Sequence, residues 1–256
     1  MSLNKNLSEI MVCEGTDSEG SDKHAGRVTL SDESKDSFRN AARIQESLTS
    51  AVERRVLIWL AARMPHRIGP DYLTCIGFAA MLLAAASYFL ARWYPAGLLL
   101  ATFFLGVNWF GDSLDGTLAR VRSRQRPRYG FYVDHMIDSF GGLFLISGLG
   151  ASGYIRWQIA LSMLIAFFLL SIESYLAAYT LGTFRLSFGK FGPTEIRILL
   201  GAGNVALWLN SKASIPIISW RLFDFGGIVA TAGMAIMVII AAAWHTVKLY
   251  KQETLS

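Results

Sequence analysis

From residue 71 onward the chain alternates between long apolar runs and short polar breaks. The runs fall at about 71–91, 95–118, 131–152, 155–180, 194–210 and 225–247. Most approach the ~20 residues that carry an α-helix across a bilayer, so the pattern predicts six spans. The second and third depart from the rest. Their apolar stretches, Trp93–Gly111 and Ser139–Ile155, are each prolonged by a helical turn or more that carries aspartates. The fifth is short, and Lys212 and Arg221 flank only a weak apolar patch after it.

Ahead of the spans the pattern changes. Between residues 48 and 66, Leu48, Val52, Val56, Trp59 and Leu60 recur at helical spacing with Arg54, Arg55 and Arg63 between them. This predicts an amphipathic helix lying at the membrane interface; the alternative is a solvated first turn of the next element. Pro65 and Pro70 separate it from the first span. Residues 1–47 are rich in Ser, Asp and Glu and lack the apolar core of a signal peptide, which predicts a disordered cytosolic tail. The expected organisation is therefore a tail (1–47), an interfacial helix (48–66), a six-span domain (67–250) and a short C-terminal tail (251–256). The fold class is all-α, a polytopic membrane bundle.

Composition sharpens this. Of 256 residues 53% are hydrophobic and 17% charged, against about 25% charged in soluble domains. Fifteen of the 43 charged residues lie in the first fifty, so the remainder is more apolar still. That excludes a disulfide scaffold, a coiled coil and an ordinary soluble enzyme. A net charge of +5 does not indicate nucleic acid, because the basic residues sit between apolar spans. Their distribution sets orientation instead. Fourteen Lys and Arg fall on the N-terminal side of the bundle, and four (Arg92, Arg156, Lys212 and Arg221) on the other. By the positive-inside bias both termini and the loop between spans two and three face the cytosol.

The chemistry gathers at that loop. Residues 112–138 place Asp112 and Asp115 three apart, and Asp134 and Asp138 four apart, so each pair shares a helical face. The Arg-rich connection with Pro127 and Gly130 suits a turn, which brings the two pairs together near the membrane surface. Four converging carboxylates repel one another unless cations join them. Oxygen ligands without His or Cys favour Mg²⁺ or Mn²⁺, and four carboxylates suffice for two ions of the kind that assist phosphoryl displacement. Gly116 leaves room for a phosphate beside Asp115, Ala119 keeps the face small, and Arg120 offers a planar fork to a diphosphate.

The pattern Asp112-xx-Asp115-Gly116-xx-Ala119-Arg120, then Gly130-xxx-Asp134-xxx-Asp138, resembles the signature of the CDP-alcohol phosphotransferase (CDP-alcohol phosphatidyltransferase) family. Nine residues separate Arg120 from Gly130, one more than the family's usual eight. Gly69 to Thr74 is similar to the Pro-Asn-x-x-Thr opening of the family's first span, with Asp71 in place of Asn; the alternative for Asp71 is a charge suited to a helix start. The resemblance implies six transmembrane helices, often a homodimer, two divalent ions, a CDP-linked donor and an alcohol acceptor, with release of CMP. It implies that Asp112, Asp115, Asp134 and Asp138 hold the metals, that Asp138 is also the general base, and that Gly116, Ala119, Arg120, Thr74 and Asp71 border CDP. CDP-diacylglycerol is the favoured donor and a bacterial inner membrane the favoured location. Asp134-His135-xx-Asp138-Ser139 is also similar to choline and ethanolamine phosphotransferases, which act on diacylglycerol.

Weaker signals remain. The segment from Phe188 to Arg197 opens the fifth span, and Lys190 and Arg197 there are candidates for a phosphate of lipid or acceptor; positive-inside anchoring is the alternative. Glu173 lies inside the fourth span beside Tyr175, as a functional acid or a structural one. His135 is angled away from the aspartates, His245 looks interfacial, and the arginines beyond Arg120 face lipid headgroups. A divalent-cation transporter is a competing reading of four membrane acids.

Overall fold

The computed structural model describes residues 42–44, 50–185, 192–210, 214–215 and 220–253. The expected tail falls almost wholly outside them, as do Lys190 and the turn before Gly192. Helix α1 spans Ser50–Arg63. The six span regions follow as α2 (Pro70–Ala91), α3 (Ala96–Val121), α4 (Pro127–Ala151), α5 (Trp157–Leu181), α6 (Pro193–Leu209) and α7 (Leu222–Gln252). Strands β1 (Ala42–Ile44) and β2 (Thr183–Arg185) pair in parallel, with Ala42 opposite Thr183. Strands β3 (Ser214–Ile215) and β4 (Trp220–Arg221) pair antiparallel.

Proline and glycine set the boundaries. Pro70, Pro127 and Pro193 each open a helix, a position whose N–H has no intrahelical acceptor to lose. Gly182, at φ +62°, ends α5 in the left-handed conformation. Pro127 also starts α4 four residues before the apolar pattern does, so Gly130 lies in its first turn and not in the preceding turn.

The architecture is an all-α membrane bundle. Helices α2, α3, α5 and α7 are each long and apolar enough to cross a bilayer. Helix α4 has the length, but Asp134, His135 and Asp138 lower its apolar character; α6, at 17 residues, reaches only ~25 Å. Large apolar side chains stay exposed along α5 (Leu161, Ile165, Leu169, Ile172, Leu176) and α7 (Ile236, Ile239, Ile240), as a lipid-facing surface requires.

Helix α2 organises the interior, packing most extensively on α3 and also on α4; α6 lies on α3, and α5 pairs with α7. One core holds Tyr88, Leu98, Leu149, Ile155, Leu207 and Phe223. A second joins Leu57 and Ala61 of α1 to Leu73, Leu114 and Leu118. Helix α1 thus docks through Glu53, Leu57 and Ala61. Of the stripe expected from sequence, Val56 and Trp59 stay exposed, and Arg63 stacks on Trp59 at 4.0 Å. Arg122 donates to the carbonyls of Met64, Pro65 and Ile68 and clamps the α1–α2 connection. Arg126 bonds both oxygens of Asp71 at 2.5 Å. Both arginines, which the sequence assigned to headgroups, thus make intramolecular contacts, Arg122 half-buried and Arg126 at the surface.

The α2–α3 crossing is a backbone contact. A Cβ on Gly111 would sit 2.6 Å from the Leu73 carbonyl oxygen and 2.7 Å from the Gly77 nitrogen. Gly111→Ala should therefore force the helices apart and destabilise the bundle by about 2 kcal/mol or more. Thermal unfolding in detergent checks this, and a melting temperature equal to the parent's would contradict the tight crossing.

Candidate active site

The crossing fixes what lies beside it. Just past Gly77 and Gly111, α2, α3 and α4 line a narrow cavity with Thr74, Asn108, Asp112, Asp115, Asp134 and Asp138 as its polar groups. Asp112 and Asp115 come from one face of α3, Asp134 and Asp138 from one face of α4, as their spacings require. Asp112, Asp134 and Asp138 each offer a carboxylate oxygen, and these atoms lie within 4.8 Å of one another. That cluster suits a hard divalent cation.

Asp115 faces the same cavity but stands apart from this trio. One of its oxygens accepts the Thr74 hydroxyl at 2.6 Å, the other its neighbour's Gly116 N–H at 2.5 Å. Thr74 thus orients a carboxylate across the helix crossing. Asn108, one turn before Asp112, was not singled out by sequence. It is buried, its Nδ2 donates to the Gly77 carbonyl at 3.0 Å, and its Oδ1 has no hydrogen-bond partner among the described residues. A buried orphan oxygen in a cleft of carboxylates fits a site built for cations or for a donor group of a ligand. The signal available was a polar side chain inside an apolar stretch.

Arg197, from α6, reaches in from the side. Its guanidinium meets Asp112 at 2.6 Å, with both side chains largely buried. Arg197 therefore touches the aspartate cluster itself. Glu195 bonds back to the Gly192 N–H at 2.8 Å and caps α6, which satisfies an otherwise orphan donor.

Of the expected nucleotide-side residues, Thr74 lines the cavity, and Gly116, Ala119, Arg120 and Asp71 are not among its lining residues. Gly116 is open on its free side, where a Cβ would meet only the Arg120 guanidinium at 3.6 Å. Ala119 is half-buried and Arg120 exposed, its Nη2 donating to Thr117 at 3.1 Å. Asp71, at the start of α2, is bound to Arg126, which also stacks on Tyr129 at 4.2 Å.

The remaining candidates have structural surroundings. His135 stacks on Phe131 at 4.0 Å, bonds the Phe131 carbonyl and meets the edge of Tyr175. Glu173 pairs with His245 at 2.5 Å, tying α5 to α7. A cation pathway needs acids at several depths. Among the described residues, the acids of the candidate spans outside the cluster are each paired with a basic side chain, Glu173 with His245, Asp224 with Arg156 and Asp71 with Arg126, which gives a cation pathway no support.

Comparison with known proteins identifies the family and the fold. The family model for CDP-alcohol phosphatidyltransferase matches residues 67–244. The archaetidylinositol phosphate synthase of Pyrococcus horikoshii is 30% identical over 168 residues, which is 61% of this chain and 80% of that protein. The phosphatidylinositol phosphate synthase of Cutibacterium acnes is 33% identical over 88 residues, 34% of this chain and 40% of that protein. The crystal structure of Mycobacterium tuberculosis phosphatidylinositol phosphate synthase with CDP-DAG bound shares the fold. Its TM-score is 0.55 at 19% identity, covering 74% of this chain and 92% of that one. With the match running across all six span regions and including the paired aspartates, the chain belongs to the CDP-alcohol phosphatidyltransferase family, membrane transferases of substituted phosphate groups in phospholipid synthesis.

Proposed function

We propose that the protein transfers the phosphatidyl group of CDP-diacylglycerol to a hydroxyl of an inositol phosphate, releasing CMP, at a site facing the cytosol of a bacterial inner membrane. The observation that carries the reading is the trio of carboxylate oxygens within 4.8 Å, with Arg197 set against it. The names of the two synthases similar to this chain favour an inositol phosphate acceptor. The excess of basic residues at the loop between α3 and α4 favours the orientation.

Asp112, Asp115, Asp134 and Asp138 would hold two divalent ions, Mg²⁺ or Mn²⁺, which supply positive charge to the phosphate oxygens of the donor. Thr74 keeps the Asp115 carboxylate turned toward the cavity. The open face of Gly116 and the small Ala119 leave space for the diphosphate, and Arg120 binds it through its fork. Asp71 with Arg126 forms the rim where the nucleotide enters. Arg197, with Lys190 nearby in sequence, meets the acceptor's phosphate and brings its hydroxyl to Asp138. Asp138 takes the hydroxyl proton, the freed oxygen attacks the β-phosphorus, and the bond to the CMP oxygen breaks. Arg120 stabilises the charge that develops on the leaving CMP. A second copy of the chain would cover part of the apolar surface, as a homodimer.

The direct test is CMP release by purified protein in lipid discs with Mg²⁺ or Mn²⁺. CDP-diacylglycerol with inositol phosphate should give CMP, and CDP-choline or CDP-ethanolamine with diacylglycerol should not. The reverse outcome would overturn the donor assignment, and chelation of the metal should stop release.

Asp112→Asn and Asp115→Asn should each lower turnover at least about a hundredfold and weaken metal-dependent donor binding, since each removes a ligand charge. Normal turnover in both would refute the metal assignment. Asp138→Asn and Arg120→Ala separate chemistry from binding. The first should slow single-turnover CMP release by about 10²–10⁴ while donor still binds, because an amide cannot take the proton. The second should lose donor affinity about tenfold or more along with rate. Donor titration on both variants decides between these outcomes. An Asp138→Asn protein that turns over normally removes the base assignment.

A further inference from the structure

Glu53 belongs to α1, a helix that contributes nothing to the chemistry above, yet it is half-buried against the bundle. One of its oxygens, Oε1, accepts three hydrogen bonds from two other helices. The Trp109 indole N–H donates at 2.8 Å and the Ser113 hydroxyl at 3.3 Å, both from α3. The Thr194 hydroxyl of α6 donates at 2.9 Å. A carboxylate drawn out of water is costly unless donors replace the solvent, and three convergent donors do so at a single place.

Each donor sits next to the site. Ser113 follows Asp112 directly, and Trp109 lies one turn earlier on α3. Thr194 is the second residue of α6, and Arg197, three residues on, shares its face. Arg197 in turn meets Asp112 at 2.6 Å. The contacts therefore close a ring: Glu53 to Thr194, along one turn of α6 to Arg197, across to Asp112, and back through Ser113 to Glu53. Arg197 has a long side chain with many rotamers, and its aim depends on where the first turn of α6 is held.

We propose that Glu53 is a positioning residue that anchors the first turn of α6 and so sets Arg197 against the aspartate cluster for an anionic acceptor. This rests on the reading that Arg197 meets the acceptor's phosphate. The role is mechanical: an acceptor oxygen is required, and the negative charge is not.

Full-length Glu53→Ala, Glu53→Gln and Thr194→Val, in lipid discs with CDP-diacylglycerol and inositol phosphate, test it. Glu53→Ala and Thr194→Val should raise the KM for inositol phosphate about tenfold and leave the KM for donor within about twofold. Glu53→Gln keeps the Oε1 acceptor and should match the parent. A purely structural role would lower kcat with both KM values unchanged, which would overturn the proposal. Hydrogen exchange supplies a readout without turnover. Amides of residues 194–199 should exchange about tenfold faster in Glu53→Ala and Thr194→Val, and at the parental rate in Glu53→Gln. If the parent releases no CMP from these substrates, the substrate reading fails and exchange alone decides the role of Glu53. Unchanged exchange in Thr194→Val, or equal loss in Glu53→Gln and Glu53→Ala, would refute it.

Discussion

Carboxylates confined together repel, and the repulsion grows as water is excluded from between them. Three aspartate oxygens within 4.8 Å of one another therefore define the electrostatic problem around which this bundle is built. The protein supplies its own counter-charge from a different helix, with Arg197 on Asp112. The fourth carboxylate, Asp115, accepts hydrogen bonds from Thr74 and the Gly116 amide.

Holding that cleft requires helices that approach closely and do not drift. In lipid, apolar side chains gain little by leaving their surroundings, so close packing of small residues takes over from hydrophobic burial. Gly111 against Leu73 and Gly77 supplies this between α2 and α3, and Gly148 approaches the Ala85 backbone between α4 and α2. The two cores lie to either side, one including α1, the other the opposite ends of α2 and α3. The polar cavity sits between them, at the level where α3 and α4 carry their aspartates.

Much of this was legible in the sequence, because helical period and proline position are local properties. The spacing of Asp112 with Asp115, and of Asp134 with Asp138, put each pair on one face, and the six runs lie within a few residues of the six helices. What escaped was tertiary. Arg197 stood out as a cation, but its partner is 85 residues away. Glu173 and His245 were each noticed, and nothing local joined residues 72 apart. Helix α1 shows the limit most clearly. The stripe through Val56 and Trp59 and the adjacent one through Glu53, Leu57 and Ala61 both fit a helical repeat, and only the packed neighbour selects between them. Glu53 passed unremarked because an acid among arginines has an ordinary solvated explanation.

The glycine crossing also constrains how such an enzyme diversifies. The separation of α2 and α3 is a property of two backbones in contact, so no side-chain exchange at Gly111 adjusts it by small steps. The spacing of the cavity walls on α2 and α3 is accordingly a nearly fixed dimension. Helix α6 is different: it is short, it enters from the side, and it presents Arg197 through hydrogen bonds to Glu53 and Asp112 that single substitutions alter. The position of Arg197 beside the aspartates can therefore be changed through α6 and α1, while the α2–α3 crossing stays as it is.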